Sequence, residues 1–188
     1  TTLPEDWSNI DNAGAGGVWE FKAAAKDNKT LTGSTANYAI LDSDLYGSGK
    51  TQDADLISPA FNLTSYSTVN LKFNHYYRHY SSSSATVSYS INGGAWVEIQ
   101  KWTKNTDNPV AFDQLIDAVA GQNNVRFKWN FKGSWGYYWL VDDIEITGNS
   151  AAGEYTVTYT AGENGTLQGA TTGVISQTVT AGESGPTV

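Results

Sequence analysis

Three aspartates in one short segment are spaced as cation ligands. Asp42, Asp44 and Asp53 fall at offsets 1, 3 and 12, with Gly47 at offset 6, and these are the offsets of the EF-hand calcium loop. Tyr46 at offset 5 and Asp rather than Glu at offset 12 show that the segment is not an EF-hand. Its density of hard oxygen ligands nevertheless predicts bound calcium; the alternative is a solvated acidic turn.

Two further aspartates, Asp142 and Asp143, are candidates for the same site. In residues 140–146, Asp142 alternates with three aliphatic side chains that should point inward. A buried carboxylate is costly unless it is paired, hydrogen-bonded or bound to metal. We therefore expect Asp142 to be a calcium ligand, with Asp143 at the rim; the alternative for Asp142 is satisfaction by backbone N–H groups. The calcium would be structural and would tie the loop 42–53 to the last strand.

Aromatic residues in polar or glycine-flanked segments are candidates for ligand binding. Trp102 lies between lysines and Asn105, and Trp135 and Tyr137 flank Gly136. Exposed aromatic rings can stack on the C–H faces of sugar rings. The sequence therefore predicts that Trp102, Trp135 and Tyr137 contact carbohydrate; the alternative is that they only pack.

Two stripes of outward-facing residues on predicted strands are polar and basic. The stripes are Lys72, Asn74, Tyr76 and Arg78, and Arg126, Lys128, Asn130 and Lys132. If the two strands were neighbours, the stripes would form one face able to hydrogen-bond a glycan or an anionic surface. Tyr76, Arg78 and Lys128 are its candidate ligand residues; the alternative is a solvated sheet face.

The elements that would position these residues are β-strands. Period-two alternation of apolar and polar residues predicts strands over residues 69–78, 85–91, 95–102, 125–131 and 138–147, with a hairpin turn at Asn92-Gly93-Gly94. Residues 112–120 could form one or two helical turns. Short strands separated by turn signals predict an all-β chain built on a jelly-roll β-sandwich.

The sequence changes character near residue 149. Residues 149–153 are small and polar and predict a linker between a β-sandwich domain, 1–148, and a short β-rich tail module, 154–188. The tail repeats itself: residues 160–165 return as residues 180–185 with one change. The break in the repeat predicts a piece of a longer protein.

Composition excludes several function classes. The 188 residues carry 11 basic and 19 acidic side chains, a net charge of −8, which disfavours nucleic acid as a partner. There is no cysteine, no apolar run that predicts membrane insertion and no Gly-x-Ser-x-Gly motif of a serine hydrolase. His75 and His79 lie about 13 Å apart on a strand, too far for one ion. We expect a secreted or cell-surface protein without catalytic activity.

Four segments carry a resemblance to a known family. They are residues 3–7 with Asp11 and Trp19, residues 38–44, residues 55–63, and residues 138–144 with the sequence Tyr-Trp-Leu-Val-Asp-Asp-Ile. Together they resemble the cleaved-adhesin, MAM-like jelly-roll domains of secreted Bacteroidetes proteins, including the adhesin regions of gingipains. The resemblance implies a calcium-stabilised, non-catalytic β-sandwich attached to peptidases, glycanases or adhesins. The tail resembles an internalin-B-type repeat, which implies a spacer or small interaction module.

The sequence therefore predicts a calcium-stabilised binding module of a secreted, multi-domain bacterial protein, with polysaccharide or another glycan as its partner. Two alternatives remain open: an adhesin that binds host or matrix protein, and a structural spacer attached to a secreted hydrolase. We expect the module to be monomeric within its longer chain.

Overall fold

The computed structural model describes residues 3–151, 153–160 and 174–180. Within these ranges, every regular element is a strand or a short 3-10 turn. The strands are β1 (Ser8–Asp11), β2 (Glu20–Lys22), β3 (Tyr38–Asp42), β4 (Thr51–Ile57), β5 (Tyr66–Arg78), β6 (Ser84–Ile91), β7 (Val97–Trp102), β8 (Val110–Leu115), β9 (Val125–Ser134), β10 (Tyr138–Ser150), β11 (Glu154–Thr160) and β12 (Val174–Thr180). The 3-10 turns are Lys26–Asn28, Ser43–Tyr46 and Asp117–Val119.

Ten of the strands form two five-stranded antiparallel sheets. Sheet 1 has the order β1-β4-β9-β6-β7, and sheet 2 has the order β2-β3-β10-β5-β8. Strands that are consecutive in the chain often lie in different sheets, as β3 and β4 do, which is the connectivity of a jelly roll. The predicted jelly-roll β-sandwich is confirmed.

The core between the sheets is made by the alternating side chains that the sequence indicates. Val69, Leu71 and Phe73 of β5 and Phe127 and Trp129 of β9 are all completely buried. Their neighbours along each strand face outward, because successive side chains of a strand point to opposite sides of the sheet. The same alternation therefore builds the core and sets the two outer faces.

One predicted element differs. Residues 112–120 contain the end of β8 and only the single 3-10 turn Asp117–Val119. The apolar spacing in this segment suggested helical turns, but Phe112 instead takes part in β8, where it pairs with Phe73 of β5. Pairing with β5 thus provides the backbone hydrogen bonds that a helix would otherwise have formed within itself.

The chain divides into two compact units, Thr1–Asn149 and Ser150–Val188. In the first unit, β10 continues through residues predicted to be linker: the backbone N–H of Asn149 donates to Thr68 Oγ1 at 3.3 Å. In the second unit, β11 and β12 pair in antiparallel register. Most of the repeat at residues 160–165 and 180–185 lies outside the described residues, so the internalin-type tail stays a prediction. Among the described residues, no helix has the length and apolarity needed to span a bilayer.

Candidate functional site

A strained turn between β9 and β10 presents two aromatic rings. Trp135 and Tyr137 adopt positive φ angles of 51° and 50°. Residues other than glycine rarely occupy this region of backbone conformation. Between them, the Gly136 N–H donates to the buried Ser43 Oγ at 2.9 Å. A Cβ on Gly136 would lie 2.6 Å from Ser83 Cβ, so the backbone fits closely there. Strain maintained by surrounding structure is typical of functional sites.

Trp135 is held in place yet remains 47% exposed. Its Nε1–H donates to Asp44 Oδ1 at 2.8 Å, and Asp44 forms an ion pair with Lys26 Nζ at 3.0 Å. Tyr80, which is 48% exposed, packs edge-on against Trp135 with ring centroids 6.3 Å apart. These contacts fix the indole while leaving nearly half of it accessible to a ligand.

The neighbouring face of sheet 2 continues this aromatic region. The Arg78 guanidinium lies 5.2 Å from the centre of the Tyr137 ring, and Tyr76 packs edge-on against Tyr138. Burial raises the pKa of the Tyr138 hydroxyl, so it is neutral and able to donate. We call this region the aromatic surface. Its residues are Tyr76, Arg78, Tyr80, Trp135, Tyr137 and Tyr138.

Two depressions lie in the aromatic surface. One of about 210 Å³ is lined by Tyr76, Arg78 and Tyr138 together with two lysines in and directly after the first 3-10 turn. The other, of about 130 Å³, is lined by Tyr80 and Trp135. Both contain Asp44 and Tyr137, so they are adjacent. Among the described residues, Arg78 forms no ion pair with a carboxylate. Its charge is therefore available to a ligand.

Four of the six ligand residues predicted from the sequence meet here: Trp135, Tyr137, Tyr76 and Arg78. Tyr80 was missed by sequence reasoning. It follows the outward residue Arg78 by two positions and precedes a run of four serines. Continued alternation beyond the end of β5 was the signal that could have found it.

Trp102 is partly buried against the core rather than placed in an exposed loop. It is the last residue of β7 and pairs with the buried Ala85. Its ring lies 4.5 Å from His75 and 5.8 Å from Trp139. Trp102 thus packs on one side against the interior and is separate from the four residues that meet at the aromatic surface, and its contact with carbohydrate stays a prediction.

Lys128 lies on the other side of the molecule. The two polar stripes belong to β5 in sheet 2 and β9 in sheet 1, so they face away from each other and the single basic face expected from adjacent strands is not formed. Lys128 Nζ lies 4.6 Å from the centre of the Trp96 ring and 3.4 Å from Asp55 Oδ2. Lys128 and the aromatic surface are separate.

Asp42, the last residue of β3, and Asp44, in the 3-10 turn that follows, both lie beside Lys26. Asp42 is only 2% exposed; its Oδ2 accepts a hydrogen bond of 2.6 Å from the Lys26 backbone N–H, and its Oδ1 is buried without a partner. Burial raises the pKa of the Asp42 carboxyl. Asp42 Oδ1 is thus a buried carboxylate oxygen that has no hydrogen-bond donor in the described part of the chain.

Asp53 lies in a different sheet from Asp42. It belongs to β4, where it forms an ion pair with Lys132 at 3.0 Å and accepts from Asn130 Nδ2 at 2.9 Å. Burial opposes ionisation, but these hydrogen bonds outweigh it and lower the pKa of Asp53. The chain crosses from sheet 2 to sheet 1 between the two aspartates, which spacing in sequence does not reveal.

Asp142 and Asp143 interrupt the alternation of β10. Val141 and Ile144 both contact the core, and the residue inserted between their faces is Asp143, with a positive φ of 53°, as in a β-bulge. Asp142 therefore faces outward, not inward with the aliphatic residues, and it accepts a hydrogen bond from Ser34 Oγ. Asp143 accepts from Asn74 Nδ2 at 2.9 Å.

The structure does not bring the five aspartates together. Asp42 pairs in register with Tyr138, and Asp142 lies four residues, about 13 Å, farther along β10. Among the described residues, no group of three or more acidic or histidine side chains could hold a metal ion. A five-aspartate calcium site is therefore not formed by these side chains.

Comparisons with known proteins agree with the fold. No family model matches the chain, and no curated protein sequence matches it. The K1 cleaved adhesin domain of Lys-gingipain from Porphyromonas gingivalis W83 superposes with a TM-score of 0.56 at 20% identity, covering 79% of this chain and 94% of that one. The K3 domain of the same protein gives 0.55 at 16% identity, covering 78% and 94%.

A carbohydrate-binding module is similar as well. TmCBM61, solved in complex with β-1,4-galactotriose, has a TM-score of 0.53 at 9% identity, and the match covers 77% of this chain and 90% of that one. The fold is what these proteins share. At such low identities, the similarity shows a common fold and does not by itself assign a ligand.

Proposed function

We propose that this chain is a non-catalytic carbohydrate-binding module whose ligand lies on the aromatic surface. The observation that carries the proposal is the strained Trp135-Gly136-Tyr137 turn, which holds Trp135 rigidly while 47% of the residue stays exposed. A rigid, exposed indole contributes a large apolar area to binding at little cost in conformational entropy.

The groups around Trp135 suit a sugar. The indole would stack on the C–H face of a pyranose ring, while Arg78 and the tyrosine hydroxyls would hydrogen-bond ring hydroxyls or a uronate carboxylate. Because Arg78 has no carboxylate partner among the described residues, binding would not require breaking an ion pair. The two adjacent depressions would hold neighbouring sugar units.

Two further observations support this assignment. TmCBM61, a similar structure, was solved in complex with β-1,4-galactotriose, and two further similar structures are adhesin domains. The serine-, threonine- and asparagine-rich composition without cysteine is typical of extracellular bacterial proteins. We accordingly propose that the module acts outside the cell, as part of a longer secreted or surface protein.

Affinity electrophoresis tests the proposal. The protein is run through gels containing soluble plant, fungal or host polysaccharides, and we expect retardation by at least one of them. Trp135→Ala should weaken that retardation about tenfold or more, since truncating a central aromatic anchor typically costs more than 1 kcal/mol of binding energy. Leu115→Ala is the matched control, because Leu115 is 63% exposed on β8 and outside the aromatic surface.

Each result has a definite meaning. Full affinity of Trp135→Ala, with an unchanged circular dichroism spectrum, would remove the aromatic surface as the binding site. No retardation by any polysaccharide would remove the carbohydrate proposal itself. The exposed rings of Tyr80 and Trp135 would then favour the adhesin alternative, in which they contact host or matrix protein.

Calcium is a separate part of the proposal. Asp42 fits a cation ligand because its Oδ1 is buried without a hydrogen-bond partner, and Asp44 lies close by. We propose that these two residues, with backbone carbonyl oxygens, would hold a structural calcium ion. Asp53, Asp142 and Asp143 would not take part, since Asp53 lies in sheet 1 and Asp142 and Asp143 lie about 13 Å or more farther along β10.

A further inference from the structure

The outer face of sheet 1 carries an open groove with an exposed tryptophan at one side. Trp96 follows the Asn92-Gly93-Gly94 turn and is 37% exposed. A depression of about 470 Å³ lies beside it. The lining comprises Trp96, Lys128, Asn130, Lys132, Asp53 and Asp55, with Asn12, Thr86 and Ser88 around them. The sequence analysis did not single out Trp96.

The side chains of the groove are held in fixed positions by one another. Asn130 Nδ2 donates to both Asp53 Oδ1 at 2.9 Å and Asp55 Oδ1 at 2.7 Å. Asp55, only 6% exposed, also accepts from Asn12 Nδ2 at 3.0 Å. Lys128 is fixed between Asp55 and the Trp96 ring. Such a preorganised set of polar groups loses little entropy when a ligand binds.

The charges of the groove cancel. Lys128 pairs with Asp55 at 3.4 Å and Lys132 pairs with Asp53 at 3.0 Å. A charged ligand would have to compete with one of these pairs, whereas neutral hydroxyl groups can both donate to the carboxylates and accept from the amide and ammonium groups. The groove therefore favours a neutral, hydroxyl-rich ligand.

The groove crosses several strands. Its residues lie on or directly beside β1, β4, β9, β6 and β7, and the three inter-strand spacings from β1 to β6 amount to about 14 Å. That span exceeds one sugar ring and suits a short run of an extended polysaccharide. An aromatic platform beside a row of polar groups is the arrangement expected of a carbohydrate site.

We propose that the outer face of sheet 1 is a second carbohydrate site, for a neutral, extended oligosaccharide, and that it is independent of the aromatic surface. The two sites lie on different sheets, so one molecule would bind two polysaccharide chains at once. Linked sites of this kind raise the avidity for a polymer that presents repeated ligand units.

The experiment uses four neutral soluble polysaccharides: galactan, xyloglucan, mixed-linkage glucan and galactomannan. Affinity electrophoresis compares the wild type with Trp96→Ala, Trp135→Ala and the double variant. We expect Trp96→Ala to weaken retardation by at least one of them about tenfold or more, and the double variant to lose binding to that polymer entirely. Lys128→Gln, which keeps the Trp96 side chain but removes the cation–π contact to its ring and the ion pair with Asp55, should weaken it as well.

The outcomes separate this proposal from the first. Unchanged affinity of Trp96→Ala and Lys128→Gln, with Trp135→Ala inactive, would overturn the second site and leave the aromatic surface intact. Loss in Trp96→Ala with full affinity in Trp135→Ala would support the groove and show that the aromatic surface does not bind that neutral polymer. A wild type that binds none of the four neutral polymers would overturn the groove, whatever acidic polysaccharides it binds. Thermal melting curves confirm that each variant is folded.

Discussion

The outer faces of the two sheets use different means to present a ligand surface. On sheet 2, the aromatic surface depends on a loop: Trp135 and Tyr137 reach their positions through positive φ angles, and Arg78 has no ion pair among the described residues. On sheet 1, the groove depends on straight strands, whose alternation places Asp53, Asp55 and Asn130 side by side.

The difference shows which features local sequence can determine. A groove floor made of strand residues follows from period-two alternation once the neighbouring strands are known. An aromatic surface on a strained turn depends on distant contacts, here the hydrogen bond from Gly136 to Ser43 and the close approach of Ser83. The loop site should therefore be the more easily damaged of the two.

Acid should damage both faces together, because His75 lies in the core that they share. Burial lowers the pKa of His75 from 6.5 to about 4. The stability due to neutral His75 is fully present above about pH 6.5 and is lost as the pH falls to about 4, by about 3 kcal/mol. Chemical denaturation from pH 7 to 4 should show this loss, and His75→Gln, which cannot titrate, should show a smaller one. Equal pH slopes for the two proteins would contradict it.

A methyl group at Gly136 should damage one face only. Gly136→Ala places a Cβ 2.6 Å from Ser83 Cβ and 3.2 Å from the Phe131 ring, and overpacking of this kind costs about 1–3 kcal/mol. We expect lower stability and loss of binding at the aromatic surface, with binding at the groove retained. Chemical denaturation measures the loss of stability, and affinity electrophoresis measures binding at each of the two surfaces.

A second substitution tests whether contact with Ser83 causes the loss of stability in Gly136→Ala. Ser83→Gly removes the atom that the new methyl group meets, so the double variant should be more stable than the sum of the two single effects predicts. Strictly additive effects would show that the close approach of Ser83 does not restrict this turn.

Calcium removal should give the smallest effect, again on sheet 2. If Asp42 and Asp44 hold calcium, excess chelator should lower the melting temperature of the wild type by a few degrees, since an ion bound only to the native state stabilises it by mass action. Asp42→Asn should melt at the same temperature with and without chelator. Asp53→Asn should keep the wild-type response, because Asp53 lies in the groove of sheet 1. A wild-type melting curve that chelator leaves unchanged would exclude the site.

Alternation in the sequence was sufficient to predict the core. The inward residues of β5 and β9 and the outward positions of Tyr76 and Arg78 all follow from a period of two. The grouping of strands into sheets did not follow, because pairing joins residues far apart in the chain: β4 lies between β1 and β9, and β5 between β10 and β8. Lys128 was consequently assigned to the wrong surface.

Local backbone irregularities account for the other differences. The positive φ of Asp143 reverses the alternation of β10, so Asp142 was assigned to the wrong side of the strand. A register shift opposite Val87 and Ser88 likewise interrupts β7 before Trp102. A single inserted residue reverses which side chains of the strand face inward but leaves the composition of the strand unchanged. The sequence alone therefore does not show where the reversal occurs.

The edge strands of the two sheets affect whether neighbouring copies of this module can associate through their sheets. Sheet 2 ends on one side at β2, which is only three residues long and carries the charged pair Glu20 and Lys22; sheet 1 ends on one side at β1, with four residues. Short, charged borders give little opportunity for sheets of neighbouring molecules to merge. Tandem or densely displayed copies should therefore not merge through these two borders, so that a network joined across them would depend on the proposed polysaccharide ligand and would dissolve when competing free sugar is added.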